Sequence, residues 1–461
     1  MALLDRNDSF QSRQHRERVG RHIGQTGAVD FFNILTSPEL LQMSEAHLPE
    51  HRERLYPPTL ALSMFMKQSL EVDRSCQRAV NGWAAQRAAE GLSVQSIRTG
   101  AYCRARGRLP LEMIVALTRE TGRVLGARAP HGWRWRGRCV KLADGTGISM
   151  PDTPENQLRY PQPASQAQGV GFPLAGLVGI VCLSTGAVLE AALGAHASKG
   201  QSEQDLFRSL LSTLCPGDVL LADALYCSYF LIATLQAAGV DVLLEQHGAR
   251  TTDFRRGRSM GRRDHVVRWS KPSTRPHWMS PEQYRTFPEH LTVREAQVDG
   301  RVLVTTMLNA RRVCKAELAT LYARRWHVEL DIRNIKTTLG MEVLRCQTPQ
   351  MIEKELWVAL LAYNLIRLLM AQAAHSAGVH PRELSFKHTV QMWSAWSSHP
   401  CATIAKPGDF FRLIAQRPVG NRPGRIEPRV RKRRPKSFPW LKVPRAVARR
   451  RIRKYADHLG A

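Results

Sequence analysis

Three carboxylates sit in surroundings that suit chemistry. Asp144 ends the apolar run CVKLAD and leads into Gly145, Thr146 and Gly147, Asp223 ends the run DVLLAD, and Glu329 lies within YARRWHVELDIRNIKTTLG. An acid at the end of a buried strand is presented at the edge where α/β sheets assemble their sites. The same position also suits an aspartate that only forms a turn or caps a helix. Around Glu329 the sequence reads as a helix. At roughly 100° per residue, Tyr322, Arg325, Glu329, Arg333 and Lys336 fall on one polar stripe about 80° wide. Leu321, Val328, Ile332, Ile335 and Leu339 form a separate apolar stripe that can bury against a sheet. Arg325, Glu329 and Arg333 are also i,i+4 neighbours, the spacing of a solvated salt-bridge ladder.

If the three acids meet, their mutual repulsion at neutral pH calls for a cation, and all-oxygen ligation suits Mg2+, with Mn2+ as a substitute. Two such ions about 3.5 to 4 Å apart serve both the attacking and the leaving oxygen of a phosphodiester.

The elements that must position these acids are legible as patterns. Strands are expected at Cys139 to Ala143, Leu174 to Leu183 and Ala187 to Leu193, the last two joined by a tight turn at Gly186. A helix at about Gln201 to Leu214 follows, then a strand at Val219 to Ala222, a helix near Ser228 to Ala238 and a strand at Val240 to Leu244. The order βββαβαβ predicts an α/β fold. Between about 246 and 312, strands at His265 to Trp269, Leu291 to Gln297 and Arg301 to Leu308 read as an inserted β subdomain. Two long helices follow, Lys315 to Leu339 and about Gln350 to His375.

Residues 1–130 read as an all-helical, DNA-binding domain with Arg98, Arg104, Arg106 and Arg108 available, although a plain helical bundle fits equally and no sharp helix-turn-helix pattern appears. The stretch from Pro130 to Gly137 marks its boundary. The catalytic region spans 138–375, and a C-terminal region, 376–461, carries a basic tail from about 421.

Composition names the partner. Of 461 residues, 67 are Lys or Arg and 39 Asp or Glu, a formal charge of +28. The segment from Asn421 to Ala461 holds 15 of the bases and two of the acids. Such an excess seeks a polyanion, and the tail reads as a backbone-gripping DNA arm or as a merely solvated segment. The nine cysteines are scattered with no pair closer than twelve residues, which indicates reduced thiols and no zinc site. The N-terminus lacks an apolar signal core, and the apolar stretch Leu174 to Leu193 contains Glu190 and Gly186, a hairpin pattern rather than a membrane span. A cytoplasmic, nucleoid-associated protein is expected.

Tyr322, Arg325, Glu329 and Lys336 reproduce the Y-(2)-R-(3)-E-(6)-K signature of DDE transposases of the IS-four type. The blocks KLADGTGISMPDTPEN and GDVLLADALYCSYF also resemble that family, so the likeness runs from about Arg138 to Ala374. The resemblance implies an RNase H-like catalytic core with Asp144, Asp223 and Glu329 as catalytic metal ligands, two ions per site and an insertion ahead of the third acid. It implies that Arg325 and Lys336 hold DNA phosphates and that Tyr322 packs or hydrogen-bonds at the transposon end. Arg333, outside the signature, is a weaker phosphate candidate. The implied activity is cleavage at the terminal inverted repeats of an insertion sequence and joining to target DNA, by a homodimer that pairs two ends, with a hairpin intermediate in related enzymes. In such enzymes an inserted aromatic stacks on an unpaired base, and Trp269 and Trp278 are the candidates, or else ordinary core and surface residues. A decayed, non-catalytic DNA-binding relative and an RNA-processing enzyme are the competing readings.

Overall fold

VLLA and VLL are apolar on both faces, and VKLA is so but for Lys141, the pattern of strands covered by helices above and below. The computed structural model describes residues 55–93, 96–196, 201–397, 407–419 and 441–458. Four helices, α1 (Pro58–Leu70), α2 (Cys76–Ala89), α3 (Gly100–Arg108) and α4 (Leu111–Arg128), precede the first strand, β1 (Val140–Ser149). Then come α5 (Pro154–Arg159), β2 (Leu174–Cys182), β3 (Val188–Ala195), α6 (Glu203–Ser209), β4 (Val219–Ala222), α7 (Tyr229–Ala237) and β5 (Asp241–Glu245). Apart from the short α5 between β1 and β2, this is the expected βββαβαβ order. The next elements are β6 (Arg258–Gly261), β7 (Asp264–Ser270), α8 (Pro281–Thr286), β8 (His290–Val298) and β9 (Arg301–Thr305). The chain ends in α9 (Lys315–Ala323), α10 (Trp326–Arg333), α11 (Pro349–Ala377), α12 (Phe386–Ser397), α13 (Pro407–Ala415) and α14 (Arg445–His458).

All nine strands form one sheet in the order β3-β2-β1-β4-β5-β9-β8-β7-β6. The centre is parallel, with Leu142 beside Leu221 and Leu221 beside Leu243. Alternate side chains feed two cores. Val140, Leu142, Leu221 and Leu243 face α1, α4, α9 and α11, whereas Ala143, Leu220, Val242 and Leu244 face α6 and α7. Helix α11 is buried along most of its length and packs on α4, α1, α13 and α12. Among the described residues it is the one helix long and apolar enough to cross a membrane, and 89% of its most apolar stretch lies inside the protein, the place of a core helix. The β2–β3 turn is as expected: Gly186 has φ +79°, and a Cβ there would stand 2.7 Å from the Arg367 guanidinium.

Four expectations are corrected. β1 does not end at Asp144 over a glycine turn but continues to Ser149, because its glycines pair across an antiparallel ladder with β2, Asp144 opposite Gly179 and Gly147 opposite Gly176. The insertion, expected as a β subdomain, is continuous with the central sheet. β9 pairs antiparallel with β5, Leu244 opposite Val304, and the Thr305 hydroxyl donates to Val242 O at 2.6 Å, so the inserted strands extend the central sheet. The N-terminal helices, within the described residues, share one core with the rest: Leu60, Phe65 and Leu117 belong to the same apolar cluster as Leu356 and Leu360. The long helix expected from Lys315 to Leu339 is not continuous. At Arg324–Arg325 the amides bond three residues back, Arg325 N to Tyr322 O at 2.9 Å and Val328 N to Arg325 O at 3.0 Å, and Asn334–Thr338 is a π-helical turn.

A buried ionic joint fixes α10. Asp331, 0% exposed, accepts from Arg382 Nη1 at 2.7 and 2.6 Å, from the Tyr363 hydroxyl at 3.0 Å and from Arg367. The eight described cysteines are unpaired, and Cys401 lies outside the described residues.

Candidate active site

β4 stops at Ala222, so Asp223 emerges at its carboxyl end while β1 runs on. Leu142 pairs with Leu221, which sets Asp144 and Asp223, each two residues further on, at one level of adjacent parallel strands. Such strands lie about 4.8 Å apart. Asp223 caps the short 3-10 turn Ala224–Tyr226, its Oδ1 accepting from Leu225 N at 2.8 Å. Asp144 Oδ1 accepts from Gly145 N at 2.9 Å. Burial pushes the Asp144 carboxyl up to about 6; the Gly145 hydrogen bond opposes this, and the charges of Glu203 and Asp223 add to it.

The third acid arrives on α10, which packs against β1. Arg325 Nη2 donates to Glu329 Oε1 at 2.7 Å, a half-buried i,i+4 pair. Burial works against the Arg325 charge, and Glu329, Tyr322 and Asp144 outweigh it and hold the guanidinium above its ordinary value. Lys336, on the π turn, donates from Nζ to the Thr146 hydroxyl at 3.1 Å, two residues beyond Asp144.

The five residues of the predicted stripe are therefore divided. Arg325 acts on the Asp144 carboxyl and Lys336 reaches Thr146 of β1, while Glu329 pairs with Arg325. Tyr322, on α9, is 7% exposed, and its hydroxyl donates to Glu245 Oε2 at 3.3 Å, so it anchors α9 to β5 instead of lining a shared face. Arg333 is exposed. The broken helix explains the division, since a 3-10 joint and a π turn shift the phase of every residue between them.

Among the described residues no three His, Cys, Asp or Glu side chains are grouped closely enough to enclose a metal ion. Asp144 and Asp223 accept from the amides of Gly145 and Leu225, and Glu329 turns to Arg325. The donor chemistry nonetheless suits a hard divalent cation, because the site offers carboxylate oxygens and buries one of them beside other acids.

Sequence reasoning missed Glu203, at the start of α6. It borders a polar cleft of about 330 Å3 together with Gly145, Thr146, Gly147 and His196. Burial raises the Glu203 carboxyl, the Tyr226 hydrogen bond lowers it, and Asp223 raises it. The one signal was the pair Ser202 and Asp205, a helix-start box that places the next residue at a helix N-terminus.

The two tryptophans separate clearly. Trp269 is 3% exposed, its indole N–H donates to Glu295 Oε1 at 2.7 Å, and Arg250 lies 3.7 Å over its ring. Trp278 is 39% exposed, stacked by Arg208 at 4.1 Å, on an apolar cleft of about 330 Å3 with Phe207, Phe230 and Phe287. Among the candidate DNA-binding arginines, Arg98, Arg104 and Arg108 are exposed. Arg106 is not available: it is 7% exposed and lies 4.5 Å over the Phe65 ring. In the tail, 421–440 lies outside the described residues, while α14 presents Arg449, Arg450, Arg451, Arg453 and Lys454 to solvent.

Residues 135–365, just over half of the chain, match the family model for the transposase DDE domain. Over 361 residues the chain is 28% identical to transposase InsG for insertion sequence element IS4 from Escherichia coli (strain K12), covering 74% of this chain and 78% of that one. Among solved structures, the piggyBac transposase synaptic complex with hairpin DNA overlaps 87% of each chain, with a TM-score of 0.43 and 10% identity.

Proposed function

The chain belongs to the DDE transposases, of the IS4 type, and from that premise we propose that it cleaves phosphodiester bonds at the terminal inverted repeats of an insertion sequence and joins the freed ends to target DNA. Asp144, Asp223 and Glu329 would hold Mg2+, or Mn2+ in its place, as two ions per site. When bound, these ions supply activation of the attacking oxygen and stabilisation of the leaving one. The observation that carries the reading is the strand register that sets Asp144 and Asp223 side by side, with the Arg325–Glu329 turn packed against the same strand.

The chain's own residues have distinct tasks. On joining the other acids Glu329 would give up its pair with Arg325, and the guanidinium would then be available to a phosphate of the DNA end. Lys336 serves a second phosphate from Thr146, Arg333 offers a more peripheral contact, and Tyr322 holds α9 in place from beneath. Trp278, 39% exposed with Arg208 over its ring, is the better platform for an unpaired base, and Trp269 is a core residue. Double-stranded DNA is gripped further by the exposed arginines of α3 and by the basic tail. A synaptic homodimer brings two ends together, in a bacterial cytoplasm at the nucleoid.

The test is nicking of cognate end DNA. Wild type should require Mg2+ and lose activity on chelation. Glu329→Gln should lose more than the roughly 100-fold cost of disturbing a group that merely orients a metal ligand. Equal activity in wild type and variant would remove Glu329 from the site.

A further inference from the structure

Helix α6 begins just after β3, and its first turn lies across both acid-bearing segments. Ser202 and Asp205 close a capping box: Asp205 N donates to Ser202 Oγ at 3.3 Å and Ser202 N to Asp205 Oδ2 at 3.0 Å. The box fixes the direction in which Glu203 leaves the helix. On one side the Glu203 carboxyl group rests on Gly145, the neighbour of Asp144; a Cβ at that position would stand 2.4 to 2.7 Å from its three carboxyl atoms. On the other side the Tyr226 hydroxyl donates to Glu203 Oε1 at 2.7 Å, and Gln204 Nε2 donates to Leu225 O at 2.7 Å. Leu225 and Tyr226 belong to the turn that Asp223 caps. The Tyr226 ring is fully buried and held edge-on by Phe207 at 4.9 Å, so its hydroxyl is a fixed donor.

One side chain thus touches the segments bearing Asp144 and Asp223. A glutamine would still accept the Tyr226 hydroxyl, though less strongly, and would not repel the two aspartates. A third carboxylate placed beside them costs stability unless a cation neutralises it. Resting on the function proposed above, we propose that Glu203 is a fourth acidic residue of the site, a positioning residue that ties the Asp144 strand to the Asp223 turn and adds negative charge to the field in which the divalent cation is held.

Two variants of the full chain separate charge from orientation. Glu203→Gln keeps the acceptor for Tyr226 and removes the charge; Tyr226→Phe keeps the charge and releases the orientation. Mn2+ is titrated into each protein without DNA and the free ion is read by electron paramagnetic resonance. The Mg2+ dependence of nicking and the metal-free melting temperature are measured alongside. Glu203→Gln should weaken Mn2+ binding about 10- to 100-fold and raise the Mg2+ concentration for half-maximal nicking by a similar factor. Its nicking should recover at saturating Mg2+, and without metal it should melt no lower than wild type. Tyr226→Phe should shift Mn2+ affinity in the same direction by less.

Unchanged Mn2+ affinity and Mg2+ midpoint in Glu203→Gln would overturn the proposal, as would a loss explained by a lowered melting temperature. Should wild type bind no Mn2+ and Glu329→Gln nick as well as wild type, the proposed function itself fails. A metal-dependent wild type, a defective Glu329→Gln and an indifferent Glu203→Gln would reject the role of Glu203 alone.

Discussion

Trp269 commits its indole N–H to Glu295 and one ring face to Arg250, leaving nothing for a ligand. Trp278 keeps more than a third of its surface open over an apolar cleft. Their alanine variants should therefore part company. Trp269→Ala should lose about 3–5 kcal/mol of stability, the cost of emptying a large aromatic site. Trp278→Ala should unfold close to wild type in a urea titration and instead weaken binding of an end carrying an unpaired base by about 1–3 kcal/mol. Equal losses of stability would deny the distinction. In sequence the two are indistinguishable, because burial of either depends on partners far along the chain. Arg325, Glu329 and Lys336 could be singled out because their spacing is a local pattern, and Asp144 and Asp223 because each follows a short apolar run. Glu203 could not, because its neighbours at 145 and 226 are brought to it only by the fold.

At the scale of elements, the segment carrying Arg325, Glu329 and Lys336 is a helix wound too tightly at one point and too loosely at another. A tight turn and a wide turn nearly cancel in the average, so the apolar period still reads as 3.6 residues. That is why the sequence suggests one rod. What holds α10 in its shifted phase is the Asp331 joint, with its carboxylate enclosed by Arg367, Arg382 and Tyr363. Asp331→Asn should cost about 3–5 kcal/mol, because two buried guanidiniums lose their counter-charge. Chemical denaturation of full-length protein measures this, and a change below about 1 kcal/mol would show that the joint is dispensable.

For the whole molecule, charge and sheet continuity matter most. Removing 421–461 takes away 15 bases and two acids. Because each phosphate contact contributes about −0.9 to the slope of log K against log salt, the truncated protein should bind every duplex more weakly with a flatter salt dependence. Anisotropy titrations at several salt concentrations decide it, and an unchanged slope would make the tail a spectator. The βββαβαβ order was readable because each strand is a short apolar run. The union of β9 with β5 was not, since pairing between strands about sixty residues apart leaves no local trace.

That union has a mechanical consequence. A swinging lid needs a seam that can open, and the hydrogen bonds joining β5 to β9 close the seam at which the insertion meets the core. The inserted strands are therefore rigidly coupled to those that bear Asp144 and precede Asp223, and the separation between the two is gauged once, when the chain folds. A substrate has to bend to that spacing, because the frame will not travel to meet it.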